Sequence, residues 1–190
     1  MSLPHALLGV LDARPMSGYD LARFFDAATG WVWAAPHSQI YPTLRKMEQR
    51  GLIRGDDEVR GPRLTRTVYS LTEEGKAELA GWVATAHPLP VIRDPFLLQA
   101  LHFDLIDANQ AHDVLTKFIE EQEQLAEEAE EHRDKLLNKD SELLKERLSS
   151  RGPAEHERIA RLKAHVFDGI AGMARYKISW ARQGQALLLE

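Results

Sequence analysis

The chain has 190 residues, 44% apolar and 28% charged, which suits one domain or two small ones with a buried core. It has no cysteine, which excludes disulfides, thiolate zinc sites, iron–sulfur clusters and cysteine nucleophiles. The net charge of −5 hides a local reversal: residues 37–70 hold seven Lys/Arg against four Asp/Glu, so a segment that answers to phosphate survives inside an acidic chain.

A first helix is expected from the apolar face of Leu3, Leu7, Val10 and Leu11, with Ser2 as its N-cap and Arg14-Pro15 as its stop. A second begins at Ser17, where Asp20 makes a capping-box-like pair with it. That helix turns Leu21, Phe24, Phe25 and Ala28 inward and Tyr19 and Arg23 outward, and ends at Thr29-Gly30. A third helix follows Pro36, with Ser38 as N-cap and Pro42 inside the first turn, where a missing N–H costs least. Ile40, Leu44 and Met47 line its inner face, Arg45 and Gln49 point outward, and Tyr41 and Lys46 lie on the flanks. Gly51 signals its C-terminus.

LIRGDDEV and RLTRTVYSL then read as two strands of a hairpin turning at Arg60-Gly61-Pro62. Thr65, Thr67, Tyr69 and Leu71 share one face of the second strand and Arg66 takes the other. Thr72 caps a fourth helix with acids in its first turn. Helix, helix, helix, hairpin, helix is the pattern of a winged helix-turn-helix, and its third helix is the candidate reader of a major groove.

Prolines in HPLPVIRDP interrupt helix on both sides. The expected organisation is therefore a DNA-binding domain over 1–87, a linker over 88–94 and a helical domain over 95–190. In the second part Asp94 caps PFLLQALHFDL, with Pro95 at its first position, and Asp107 with Gln110 makes a further capping box. A long helix follows with Ala111, Leu115, Phe118, Gln122, Leu125, Ala129, His132 and Leu136 in steps of four and three. Gly152-Pro153 ends that region, and a last helix repeats the spacing at Ile159, Leu162, Val166, Gly169, Met173, Tyr176 and Trp180. Sustained 3–4 spacing on helices this long predicts a homodimer, with a seam at Leu115, Phe118, Leu125, Ile159, Leu162, Val166, Met173, Tyr176 and Trp180. The fold class expected is mainly α: an N-terminal winged helix-turn-helix with a two-stranded wing, then a C-terminal dimerisation domain of long helices.

The DNA-facing set expected from this pattern is Ser17, Tyr19, His37, Ser38, Gln39, Tyr41, Pro42, Thr43, Arg45 and Lys46, with Arg60, Arg63 and Arg66 on the hairpin. Arginine and lysine neutralise phosphates, arginine pairs with guanine, and a hydroxyl at a helix N-terminus donates to phosphate. No GxSxG, HExxH, GxxxxGK[ST] or GxGxxG motif occurs, and the eight histidines are scattered, so no enzyme, metal site or cofactor is expected. Trp31, Trp33, Phe96, His102, Phe103 and Tyr176 are effector-pocket candidates by residue type alone. No apolar run reaches the ~18–20 residues of a membrane span, and the N-terminus lacks a basic signal region, so a cytoplasmic chain is expected.

HSQIYPTLRKMEQRGLI, the hairpin and YSLTEEGKAEL closely resemble the PadR family of bacterial transcriptional regulators, as does the opening LLGVLDARPMSGYDLARFF. DPFLLQALHFDL and the long helices resemble the C-terminal part of the phenolic-acid-repressor-like subgroup. The resemblance implies a dimeric repressor with helices exchanged between subunits, bound to a roughly palindromic operator and released by a small, phenolic or aromatic inducer. It also implies that Tyr41 matches the family's recognition-helix tyrosine and that Arg63 or Arg66 matches its basic wing residue. Two other readings are a multidrug-type sensor with an aromatic pocket at the dimer centre and a winged-helix scaffold that binds protein.

Overall fold

The computed structural model describes residues 3–27, 37–59, 65–88 and 94–189. The chain divides into two compact units, Met1–Pro88 and Leu89–Glu190.

The first unit runs α1 (Leu3–Leu11), β1 (Met16–Ser17), α2 (Gly18–Ala27), α3 (His37–Gln49), β2 (Ile53–Val59), β3 (Thr65–Leu71) and α4 (Glu73–Val83). Its core is the set of inward stripes that the helical period demands: Leu3, Leu7 and Leu11 from α1, Leu21 and Phe25 from α2, and Ile40, Leu44 and Met47 from α3 are all buried. Each such side chain contributes roughly 1.5–3 kcal/mol by leaving water. The helix boundaries follow local chemistry. The Ser17 hydroxyl accepts from the Asp20 backbone N–H at 3.1 Å and donates to the Asp20 carboxylate at 2.7 Å, which fixes the start of α2. Gly51 closes α3 in the left-handed region at φ 71°. The Thr72 hydroxyl donates to the Gly51 carbonyl at 2.7 Å and accepts from the Gly75 N–H at 3.0 Å, joining the end of α3 to the start of α4.

The two-stranded wing, β2 with β3, is as expected, and the two-residue strand β1 extends it to a three-stranded antiparallel sheet of order β1-β3-β2: Met16 pairs with Tyr69 and Ser17 with Val68. One expectation for this unit needs correction. Helix α3 begins at His37, so Ser38 lies inside it and is no N-cap, and Pro42 is its sixth residue and not part of its first turn. The ring deprives the Ser38 carbonyl of its ladder donor. The helix tolerates this because Ser38 and Pro42 are both exposed, which leaves that carbonyl open to water. The proposed cap Ser2, the inward Ala28, the helix end Thr29-Gly30 and Pro36 lie outside the described residues, as do the hairpin tip Arg60-Gly61-Pro62 and most of the linker.

The second unit comprises α5 (Pro95–Ala100), a single 3-10 turn at Phe103–Leu105, α6 (Ala108–Leu137), α7 (Glu142–Ser149) and α8 (Pro153–Leu187). Asp94 caps α5 by accepting from the Phe96 and Leu97 N–H groups, and Asp107 with Gln110 forms a complete capping box on α6. The segment PFLLQALHFDL is therefore broken into a short helix and a turn, and α7 is a separate helix that the sequence reading did not distinguish. Helices α6 and α8 are antiparallel. The rungs between them run in opposite order along the two chains: Gln185 to Thr116, Arg182 to Glu123, Arg175 to Glu130, Arg133 to Asp168 and Lys139 to Glu157.

The two faces of α8 are chemically distinct. The stripe buried against α6 and α7 is Ala160, Ala164, Ala171, Ala174, Ile178 and Ala181. The larger apolar residues expected in the seam face outward, with Leu162 at 57%, Val166 at 49%, Met173 at 62% and Tyr176 at 72% exposure. On α6, Leu115 and Phe118 are covered within the chain by Ile178 and Ala181, so they need no partner subunit, which corrects their place in the expected seam. Leu125, Ile159 and Trp180 are half-buried. Among the described residues no helix is long and apolar enough to cross a membrane.

Candidate nucleic-acid interface

Helices α2 and α3 form the helix-turn-helix, and the seating of α3 decides what it presents. With Ile40, Leu44 and Met47 buried, Gln39, Tyr41, Arg45, Lys46 and Gln49 are left on the outer surface. Tyr41 lies across the first residue of α2. A Cβ on Gly18 would come within 2.8 Å of Tyr41 Cε1, so the ring uses the space that glycine leaves and is still 43% exposed. Arg45 and Lys46 have no ion-pair partner among the described residues, so their charge is available to an external anion. The Thr43 hydroxyl donates back to the Gln39 carbonyl at 2.6 Å and so braces the turn that Pro42 interrupts.

Tyr19, the second residue of α2, is exposed, with the Arg23 guanidinium 6.0 Å from its ring centre. Ser17 does not join them. It is buried, and its hydroxyl proton goes to Asp20, so its function is to start α2 and not to donate to phosphate. Arg66 is likewise engaged: Nε and Nη2 donate to Glu58 Oε2 at 3.1 and 2.9 Å, and Nη1 reaches Asp20 Oδ2 at 3.5 Å. His37 opens α3, but its side chain lies outside what is described, as do Arg60, Arg63, Trp31 and Trp33.

The sequence reading missed two groups that organise this face. Glu48 Oε1 accepts the Gly55 N–H at 3.0 Å, which ties α3 to the wing strand β2. Tyr69 lies among Tyr41, Arg45, Glu48 and Asp57, where burial first and Glu48 second raise its phenol pKa and keep it protonated. A glycine in a strand interior is a sign of close approach, so Gly55 was the available signal. The partner of its N–H is seven residues away and on another element, which the local pattern does not specify.

The effector candidates separate in the second unit. Phe96 stacks on Phe118 at 3.7 Å and meets Trp180 and Phe103 edge-on at 6.1 and 6.3 Å. Phe96 and Phe103 therefore belong to a packed aromatic cluster beside Leu115, each still partly exposed. His102 and Tyr176 are exposed and belong to no such cluster.

A buried three-helix core with a basic, tyrosine-bearing third helix and a strand-paired wing defines a winged helix-turn-helix protein of the nucleic-acid-binding class. Residues 7–81 match the family model described as the transcriptional regulator PadR-like family. The chain is 36% identical over 113 residues to the negative transcriptional regulator PadR of Bacillus subtilis, a match that covers 59% of this chain and 62% of that protein. The structure of Bacillus subtilis PadR in complex with operator DNA is similar over 99% of each chain, at a TM-score of 0.75 and 27% identity. That of the same protein in complex with p-coumaric acid is similar over 100% of each chain, at a TM-score of 0.71 and 27% identity.

Proposed function

We propose that this chain is a sequence-specific, DNA-binding transcriptional regulator that acts as a homodimeric repressor in the cytoplasm and leaves its operator when it binds a small aromatic acid. The observation that carries the reading is helix α3. Its apolar stripe is wholly buried, while Tyr41, Arg45 and Lys46 are exposed on the opposite side, with no ion-pair partner for the two cations among the described residues. Such a helix offers a major groove charge for phosphates and side chains for base edges. The likeness to PadR bound to operator DNA and to p-coumaric acid supports the DNA and the class of ligand. The dimer is supported by the outward stripe Leu162, Val166, Met173 and Tyr176, whose 3–4 spacing suits a second helix.

Fluorescence anisotropy of the full chain on its own upstream DNA and on a scrambled duplex, across a salt series, tests the reading. Preference for the upstream DNA by ~10³ or more, with log K falling steeply against log salt, is the expected result. Addition of p-coumarate should then raise the apparent Kd for that DNA. Absence of binding to either duplex at low salt overturns the proposal.

A further inference from the structure

The wing and the helix-turn-helix are joined by a charged cluster that no reading of the sequence assembled. Arg66 on β3 faces Glu58 on β2 across the ladder and reaches Asp20 at the start of α2. Asp20 is held in turn by the buried Ser17, which is itself paired with β3 through β1. One guanidinium thus bridges two strands and a helix. Its fork is taken up by three contacts to two carboxylates, and the cluster of one cation and two anions carries a net charge of −1. A group in that state does not attract a phosphate.

We propose that Arg66 is a positioning residue and not a phosphate contact. Together with Glu58 and Asp20 it sets the angle of the wing against α2, so that the wing and the outer face of α3 meet one stretch of duplex in a fixed register. Glu48 does the same from the other side by accepting the Gly55 N–H of β2. The geometry favours arginine specifically. A planar fork spans two carboxylates at once, whereas the single ammonium of a lysine does not. The proposal rests on the DNA-binding reading for its consequence but not for the strut itself, so the test has two arms.

The first arm uses the DNA-free full chain. Arg66→Lys and Glu58→Gln should each accelerate backbone hydrogen exchange in β2 and β3 by roughly five-fold or more without altering exchange in α6 and α8. The double variant should be no faster than the faster single variant, as expected of two partners in one interaction. Unchanged exchange overturns the strut whatever the protein does with DNA.

The second arm measures binding to the upstream duplex and to a scrambled one. Arg66→Lys keeps the charge, so the strut predicts an unchanged salt slope and a drop of about five- to ten-fold in the ratio of specific to non-specific affinity. Glu58→Gln should lower the same ratio. A phosphate-contacting Arg66 gives the opposite pattern: Arg66→Lys binds within about two-fold of wild type, and Glu58→Gln, which releases the cation, tightens both duplexes. That pattern overturns the proposal. If wild type itself binds neither duplex, the regulator reading fails while the exchange arm still decides the strut.

Discussion

At the scale of single residues, the recognition surface is made by what surrounds each side chain more than by its type. Arg45 and Arg66 are the same residue type within one unit, yet Arg45 has no ion-pair partner among the described residues and Arg66 is engaged by Glu58 and Asp20. Arg45→Ala should therefore weaken binding to specific and scrambled DNA alike and flatten the slope of log K against log salt by about 0.9, the loss of one phosphate contact. Tyr41→Ala should instead reduce the preference for the upstream duplex, read as the ratio of the two affinities in the same titration. Gly75 is a different case. A Cβ there would lie 2.0 Å from the Leu52 carbonyl oxygen, a backbone atom that cannot rotate away. Gly75→Ala should cost about 1–3 kcal/mol by overpacking, seen as a lower midpoint in urea with the slope retained. Caps such as Ser17 with Asp20, Gly51 and Thr72 were legible in the sequence because each acts within a few residues. The demand on Gly75 was not, because it comes from Leu52, brought against it by the turn and hairpin between them.

At the scale of elements, periodicity located the helices and the outward stripe of α8, but not the face that α8 packs on α6. Spacing draws attention to the stripe with the largest apolar residues. On α8 that stripe is Leu162, Val166, Met173 and Tyr176, but the face against α6 is mostly alanine, which lets the two backbones approach closely. The strand β1 escaped notice for another reason: two residues carry no period, and their pairing with Val68 and Tyr69 is long-range. The packing of α6 on α8 also carries a pH dependence. The His132 ring lies tilted against Phe167 with centroids 4.3 Å apart, and burial first, with Lys135 second, lowers its pKa below the ordinary 6.5. The unfolded chain takes up that proton near the ordinary value while the folded chain resists it. Stability is therefore full above about pH 6.5 and falls as pH drops toward the lowered folded value. Thermal melts of wild type should lose midpoint between pH 7.5 and 5.5, and His132→Gln should lose less over the same interval. Equal losses would mean that His132 contributes nothing to the acid sensitivity.

At the scale of the whole molecule, the proposed dimer and the proposed DNA reading depend on each other, since two recognition helices are placed by one two-fold axis. Met173→Glu puts a charge into the outward stripe of α8 and leaves the buried alanine face untouched. Sedimentation should show that variant shifted toward monomer, with its binding to the upstream duplex weakened far more than its binding to scrambled DNA. A variant that remains dimeric moves the subunit contact elsewhere on the chain.

The alanine face of α8 has a consequence for gene dosage. Small side chains bury little apolar surface, so the pairing of α6 with α8 contributes modestly for helices about 45 and 52 Å long. In the proposed dimer, much of the remaining stabilisation comes from a second copy covering the larger residues outside. Folding and copy number are then linked by mass action. At low abundance the pool of proposed dimer would grow roughly with the square of the number of chains made, so halving expression would remove more than half of it. If the proposed regulatory role holds, a modest change in synthesis would be read out as a threshold rather than a proportion.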